Sequence, residues 1–423
     1  MDKIIIEGGH PLKGRVSVSG AKNAALPILF SSLLGSGKHV FTNVPHLQDV
    51  KSTLDLLQTL GAKGTLANNK VELQMDEPKN FEAHYDLVRK MRASVLCLGP
   101  LVSRFGHARV SLPGGCAIGA RPINLHLDAL KKMGAEITIN EGYVEAQCKK
   151  LQGAKIFFDT VTVTGTENIM MAATLAKGRT VLENCAKEPE VKNLADYLIA
   201  MGARISGAGT SVITIDGVEK LKPSHFEIMP DRIEAGTLVI AGAISGGEIE
   251  VAGFDPEIIE ALTQKMIESG FNIAHLHGGV KGLKIKPPAG SVWKATEITT
   301  GPYPGFATDL QAQFMALMCF AEGTSIIRET IFENRFMHVQ ELVRMGVDIQ
   351  AQSQVAVVRG SRGEITGAPV MATDLRASAS LVLAGLGAKG KTTVSRIYHL
   401  DRGYEKLDAK LQSLGAKIQR LSE

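Results

Sequence analysis

Leu56–Gly64 reads LLQTLGAKG, and the phrase returns as ALKKMGAEI from Ala129, YLIAMGARI from Tyr197, KMIESGFNI from Lys265, ELVRMGVDI from Glu341 and KLQSLGAKI from Lys410. Each copy is the end of an amphipathic helix, a glycine and the start of a strand. Glycine suits that turn because, without a Cβ, it enters the left-handed conformation free of steric penalty. The six glycines, Gly61, Gly134, Gly202, Gly270, Gly346 and Gly415, follow one another at intervals of 68 to 76 residues. Self-similarity at such a period predicts one supersecondary unit written six times.

A second phrase lies between the copies: a helix of small and apolar residues, a turn glycine, then β-branched residues. Its glycines are Gly37, Gly106, Gly178, Gly247, Gly323 and Gly390, each expected in the left-handed conformation. In the first unit RVSVS (Arg15–Ser19) reads as a strand, NAALPILFSSLLG as a buried helix and HVFTNV as a strand. LDLLQTLG then reads as an outer helix and KGTLANNKVELQ as a hairpin, so each unit is about βαβαββ. The segments IMMAATLA, LVIAGAI, FMALMCF and SLVLAGL are apolar on every face, which predicts helices packed together inside and sheets outside. Six units exceed one small core and divide naturally three and three, with a boundary near Met229 and Pro230.

Composition narrows the function classes. The chain has 423 residues, 44% hydrophobic and 21% charged, which excludes disorder and fibrous repeats. A net charge of +4 without any basic run offers no footprint for nucleic acid. No run of 18 apolar residues occurs, so no membrane insertion is expected, and Met1–Gly9 lacks the order of a secretion signal. Five scattered cysteines without CxxC spacing argue against a disulfide framework and a zinc site; the expectation is a reducing, cytoplasmic compartment.

Gly385–Thr392, GLGAKGKT, matches both GxGxxG and GxxxxGK[ST]. Either motif needs a strand before it and a helix after it, and here the apolar helix comes first and TTVSRI follows. No HExxH or GxSxG occurs. His126 and His338 fall within helical patterns, where a hydrogen-bonded structural role is the plainer reading.

Charged and polar residues stand at the starts of the inner helices: Lys22-Asn23, Arg92, Glu167-Asn168, Arg232 with Glu234, Asp309 with Gln311, and Asp374 with Arg376. Helix starts expose unpaired N–H groups and attract anions. Thr308-Asp309-Leu310 and Thr373-Asp374-Leu375 are one phrase twice, and capping is the plainer reading of both. Leu112–His126, LPGGCAIGARPINLH, occurs once and sets Cys116 among three glycines and two prolines. That composition predicts a mobile loop, and the residues alone leave a structural and a reactive Cys116 equally open. Cys97, Cys148, Cys185 and Cys319 read as buried and inert.

SGAKNAALPIL from Ser19, MRAS from Met91, SLPGGCAIGARP from Ser111, YPGFATDLQAQ from Tyr303, ENRFMH from Glu333, MATDLRASASLVLAG from Met371 and HLDRGYEKL from His399 together carry a resemblance. In order and end to end, they resemble the UDP-N-acetylglucosamine 1-carboxyvinyltransferases, a branch of the enolpyruvyl transferases. The resemblance implies a two-domain inside-out α/β barrel, with residues 1–20 joining 230–423 in one domain and 21–229 forming the other. It implies transfer of the enolpyruvyl group of phosphoenolpyruvate to the 3′-hydroxyl of UDP-N-acetylglucosamine, with release of phosphate, at the entry to peptidoglycan synthesis. Addition and elimination through a tetrahedral ketal need no metal and no redox cofactor.

By the same resemblance Asp309 is the base, and Cys116 is the general acid and the thiol alkylated by fosfomycin. Lys22, Arg121 and Arg402, with Asn23 beside them, hold the phosphate and carboxylate of phosphoenolpyruvate. Arg92, Arg121, Pro122, Ile123, Asn124, Leu125, Thr160, Val161, Thr162, Val163, Asp309 and Ile331 contact the UDP-sugar, and Arg376 is a further cation of the site. Position 124 is Asn where the related pattern often has Asp, and TGTEN at Thr164–Asn168 also departs from some members. The rival readings are a 5-enolpyruvylshikimate 3-phosphate synthase, which should lack the cysteine loop, and a catalytically silent UDP-sugar sensor, which should have lost Cys116, Lys22, Arg121 or Asp309.

Overall fold

The computed structural model describes residues 2–78, 80–89, 91–112, 123–361 and 365–422, with the side chain of Arg92 left out. These residues form two compact units, one from residues 2–19 and 230–422 and the other from 20–112 and 123–229.

Each unit carries three four-stranded sheets of one pattern, a parallel pair continued by two antiparallel neighbours. Lys155–Phe157 pairs parallel with Arg179–Glu183, which pairs antiparallel with Val212–Asp216, and that strand with Arg204–Ser206. A buried helix (Val163–Ala173) links the parallel pair and an outer helix (Pro189–Ala200) leads to the hairpin, giving the βαβαββ unit. The outer helix Gln48–Thr59 buries Val50, Leu54, Leu56 and Leu57, whereas Arg232–Ile244 buries every residue from Ile233 to Ile244. Helices buried all round occupy the centre and sheets form the outside, the inside-out arrangement. In the unit of residues 230–422 the inner helices Arg232–Ile244, Gln311–Cys319 and Leu375–Gly387 touch one another. At about 25 cal/mol per Å² of apolar surface, a buried Leu or Ile contributes roughly 1.5 to 3 kcal/mol, so this packing dominates the stability.

The six periodic glycines have φ between 93° and 106°. In the second phrase five glycines take positive φ, but in the fourth unit the left-handed residue is Gly246 (φ 68°) and not Gly247. Gly247 is needed for a different reason: a Cβ there would run into the backbone of Leu12.

One assignment of the first unit is corrected. The strand read at Arg15–Ser19 spans Lys13–Ser17 and pairs with Glu248–Ala252, in the sheet of the fourth unit. Its place in the first unit's sheet is taken by His225–Glu227, which runs parallel to Gly37–Thr42. The chain thus exchanges strands at 19–20 and 229–230. At this passage Gly20 packs so closely that a Cβ would collide with the Asn43 carbonyl. Lys3–Glu7 lies between Lys391–Ser395 and Lys417–Leu421, so the N-terminal strand completes the sixth sheet. GLGAKGKT falls at the end of helix Leu375–Gly387 and runs into strand Lys391–Ser395, the reverse of a phosphate loop.

Candidate active site

In the unit of residues 230–422, Ala307 is extended and Thr308–Leu310 form a 3-10 turn before helix Gln311–Cys319. The turn holds Asp309 short of the helix, with its side chain 25% exposed. Arg335 Nη2 donates to Asp309 Oδ1 at 2.7 Å and Arg376 Nη2 donates to Oδ2 at 2.8 Å. Both arginine side chains are only 5% exposed. Burial alone would raise the Asp309 carboxyl, but the guanidiniums of Arg376 and Arg335 outweigh it and hold it well below the usual carboxylate range. Arg376 lies over the ring of Tyr404, 5.4 Å from its centroid. The Tyr404 hydroxyl pairs with Thr237 at 3.0 Å and accepts from Gln313 Nε2 at 2.9 Å. Two buried donors here, Arg335 Nε and Arg376 Nη1, have no hydrogen-bond partner among the described residues, so the two guanidiniums are not fully satisfied.

Asp374, in the matching phrase, caps its helix: Oδ1 accepts from the amides of Arg376 and Ala377 at 2.8 and 3.0 Å. Capping therefore describes Asp374, and Asp309 departs from it. Ile331 is half-buried, and its amide donates to Glu329 Oε1 at 2.8 Å. Arg402 is half-buried at the end of the 3-10 helix Ile397–Arg402. Glu234 also sits at a helix start. Burial pushes it up to about 7 against the pull of Lys410, whose Nζ donates to it at 2.6 Å.

In the other unit Lys22 opens helix Lys22–Ser31, 13% exposed, with Nζ 3.4 Å from the buried carboxylate of Asp49. Asn23 beside it is half-buried. Arg92 opens the 3-10 helix Arg92–Cys97. Ile123 and Leu125 are half-buried and Asn124 is exposed at the start of helix Asn124–Lys132. Thr160 is exposed and Val161, Thr162 and Val163 half-buried, with Thr162 Oγ1 capping helix Val163–Ala173 through the Gly165 amide at 3.1 Å. Cys116, Arg121 and Pro122 lie outside the described residues.

Near these residues Glu167 is 2% exposed, and burial, then Glu190 and Glu188, push its carboxyl well above the ordinary range. His126 is buried and accepts at Nδ1 from Asn168 Nδ2 at 3.0 Å, with its pKa brought down by burial to about 4. His338 is likewise buried and brought down to about 4. Cys97, Cys185 and Cys319 are buried, with the thiols of Cys97 and Cys185 pushed up to about 12; Cys148 is only half-buried, contrary to expectation, with its Sγ 3.3 Å from the Gly134 carbonyl.

The structure brings Asp309 and Arg376 into direct contact. It also adds Arg335, to which the sequence reading assigned no role, although ENRFMH was among the phrases that carried the resemblance. Among the described residues, no helix is long and apolar enough to cross a membrane.

Residues 6–411 match the family described as EPSP synthase (3-phosphoshikimate 1-carboxyvinyltransferase). The chain is 61% identical over 418 residues to the UDP-N-acetylglucosamine 1-carboxyvinyltransferase of Bdellovibrio bacteriovorus, covering 99% of this chain and 100% of that one. It is 57% identical over 424 residues to the protein of the same name from Trichlorobacter lovleyi, with full coverage of both. Among solved structures, the enolpyruvyl transferase NikO from Streptomyces tendae superposes with a TM-score of 0.87 at 24% identity, covering 100% of this chain and 99% of that one. EPSP synthase from Acinetobacter baumannii superposes with a TM-score of 0.76 at 17% identity, with full coverage of both.

Proposed function

This chain belongs to the EPSP synthase family of enolpyruvyl transferases, and we propose that its acceptor is UDP-N-acetylglucosamine and its donor phosphoenolpyruvate. The enolpyruvyl group passes to the acceptor's 3′-hydroxyl and phosphate is released, which supplies peptidoglycan synthesis. The observation that carries the reading is the end-to-end similarity to UDP-N-acetylglucosamine 1-carboxyvinyltransferases, at more than half of all positions.

The chemistry needs a group to take the hydroxyl proton, a proton for the methylene carbon and cations for two anionic groups. Asp309 is our choice for the first, Cys116 for the second, and Lys22, Arg121 and Arg402 for the cations. A carboxylate gripped by two guanidiniums is ionised at neutral pH but a weak proton acceptor. Asp309 therefore gains basicity only when one arginine turns away from it. The donor's carboxylate is an anion suited to draw it, and Arg376 Nη1 and Arg335 Nε have hydrogens to offer. Asn23 stands beside the cations for phosphoenolpyruvate, and Arg92, the residues from Arg121 to Leu125 and from Thr160 to Val163, and Ile331 are assigned to the UDP-sugar.

The test is phosphate release from phosphoenolpyruvate with UDP-N-acetylglucosamine or shikimate 3-phosphate as acceptor, with and without fosfomycin pretreatment. Release with the UDP-sugar, abolished by fosfomycin, is expected, and Cys116→Asp should stay active and resist the drug. Release with shikimate 3-phosphate alone would move the chain to the sister activity, and none with either would leave a silent binding protein.

A further inference from the structure

The hydrogen bonds around Asp309 continue past Arg335. Glu329 follows strand Thr324–Arg328 and is 1% exposed. Its Oε1 accepts from the Thr300 hydroxyl at 2.9 Å and from the amides of Ile331 and Phe332 at 2.8 and 3.2 Å. Its Oε2 accepts from the Thr308 hydroxyl at 2.8 Å. A hydroxyl has one hydrogen to give. Once Thr308 has given it to Glu329, the oxygen presents a lone pair, and Arg335 Nη1 donates to it at 3.1 Å. Arg335 Nη2 donates in turn to Asp309. The chain of bonds thus has a direction, from the Glu329 carboxylate through a hydroxyl and a guanidinium to the Asp309 carboxylate.

We propose that Glu329 is a positioning residue for the transfer reaction, holding Arg335, and through it Asp309, by way of the Thr308 hydroxyl. The inference rests on the role proposed above for Asp309. All four partners of Glu329 are donors, and the two amides among them cannot reverse, so a carboxylate satisfies the site better than an amide. In Glu329→Gln the amide oxygen retains Thr300, Ile331 and Phe332, and these local contacts survive. Its NH2 group then faces Thr308, whose hydroxyl has to accept from it and from Arg335 at once, and its own hydrogen loses its acceptor. The substitution breaks one link of the relay and spares the rest.

The test is steady-state phosphate release from phosphoenolpyruvate and UDP-N-acetylglucosamine by the wild type, E329Q, T308V, T308S and the double variant E329Q/T308V. E329Q and T308V should each lower kcat by about tenfold or more, with KM for the UDP-sugar within about threefold of wild type, the pattern of a lost transition-state interaction. T308S, which keeps the hydroxyl, should retain most of the rate. The double variant should be no worse than the poorer single one, because both remove the same link. Effects that multiply, a change confined to KM, or an E329Q rate within about twofold of wild type would overturn the inference. If E329Q does not fold, T308V against T308S decides, and equal rates overturn it. A wild type that releases no phosphate with the UDP-sugar would instead overturn the reading of the reaction, and this inference with it.

Discussion

Thr308-Asp309-Leu310 and Thr373-Asp374-Leu375 bring the same three residues to the starts of two inner helices in one unit, yet their carboxylates end in different places. Asp374 is extended, with φ −155° and ψ 178°, and its oxygen lies over the first amides of the helix that begins at Leu375. Asp309 lies inside a 3-10 turn that delays its helix to Gln311, and its oxygens go to Arg335 and Arg376. One extra turn of backbone separates a cap from a charged group available for chemistry. Local sequence specifies that a helix starts, whereas the approach of distant side chains specifies what the acidic residue does there.

The largest expected effect breaks the comparison if it fails. Asp309→Ala should lose about 10³-fold in kcat, within the range for a positioned base, and Asp374→Ala less than about tenfold, both read by phosphate release. Equal losses would mean that the two phrases share one role.

Arg376→Met, which leaves Asp309 with Arg335 as its one cation, should cost about 2 kcal/mol in urea unfolding, the scale of a hydrogen bond to a charged group. A cost below about 1 kcal/mol would show that the Asp309 contacts add little to stability and serve only the site.

His338 sharpens the comparison because Asp374 and Arg335, the cation paired with Asp309, both act on it: burial dominates and lowers its pKa to about 4, Asp374 opposes this, and Arg335 assists. An unfolded His titrates near about 6.5, so as pH falls below that value the unfolded state binds the proton first. Stability is complete above pH of about 6.5 and declines toward about 4, by about 3 kcal/mol for this group. Asp309 is also held low, by the two guanidiniums, so its contribution is likewise lost on acidification, but in a lower window: it is present above about pH 4 and is lost only in stronger acid. Urea unfolding at several pH values between 4 and 7 should therefore show a decline that His338→Gln flattens and Asp374→Asn steepens.

The smallest effect is the cap itself. Asp374→Ala should lower stability by about 1 kcal/mol and Asp374→Asn by less than about half of that, since Asn caps nearly as well. Thermal unfolding distinguishes them.

Much of the fold was legible because a repeated helix, glycine and strand is a local pattern that survives six tellings. The strand at Lys13–Ser17 misled for the opposite reason: it has the right alternation for a strand, but pairing partners 235 residues away decide which sheet it enters. At the candidate site, the family resemblance singled out Asp309 and Arg376, whereas the residues alone read Asp309 as a cap. Arg335 was not singled out, because an arginine within ENRFMH has no local feature that aims it at a carboxylate 26 residues earlier. Glu329 was invisible for the same reason: its four donors come from residues 300, 308, 331 and 332.

The sequence by itself determined the period, the six units, the turn glycines, the apolar inner helices and the family resemblance, because spacing and backbone preference act over a few residues. The tertiary structure decided the exchange of strands at residues 19–20 and 229–230, the separate fates of Asp309 and Asp374, and the charge state of each buried group. Those depend on which side chains come within about 3 to 4 Å after the chain has folded, and Coulomb and desolvation energies are set at that distance, not along the chain.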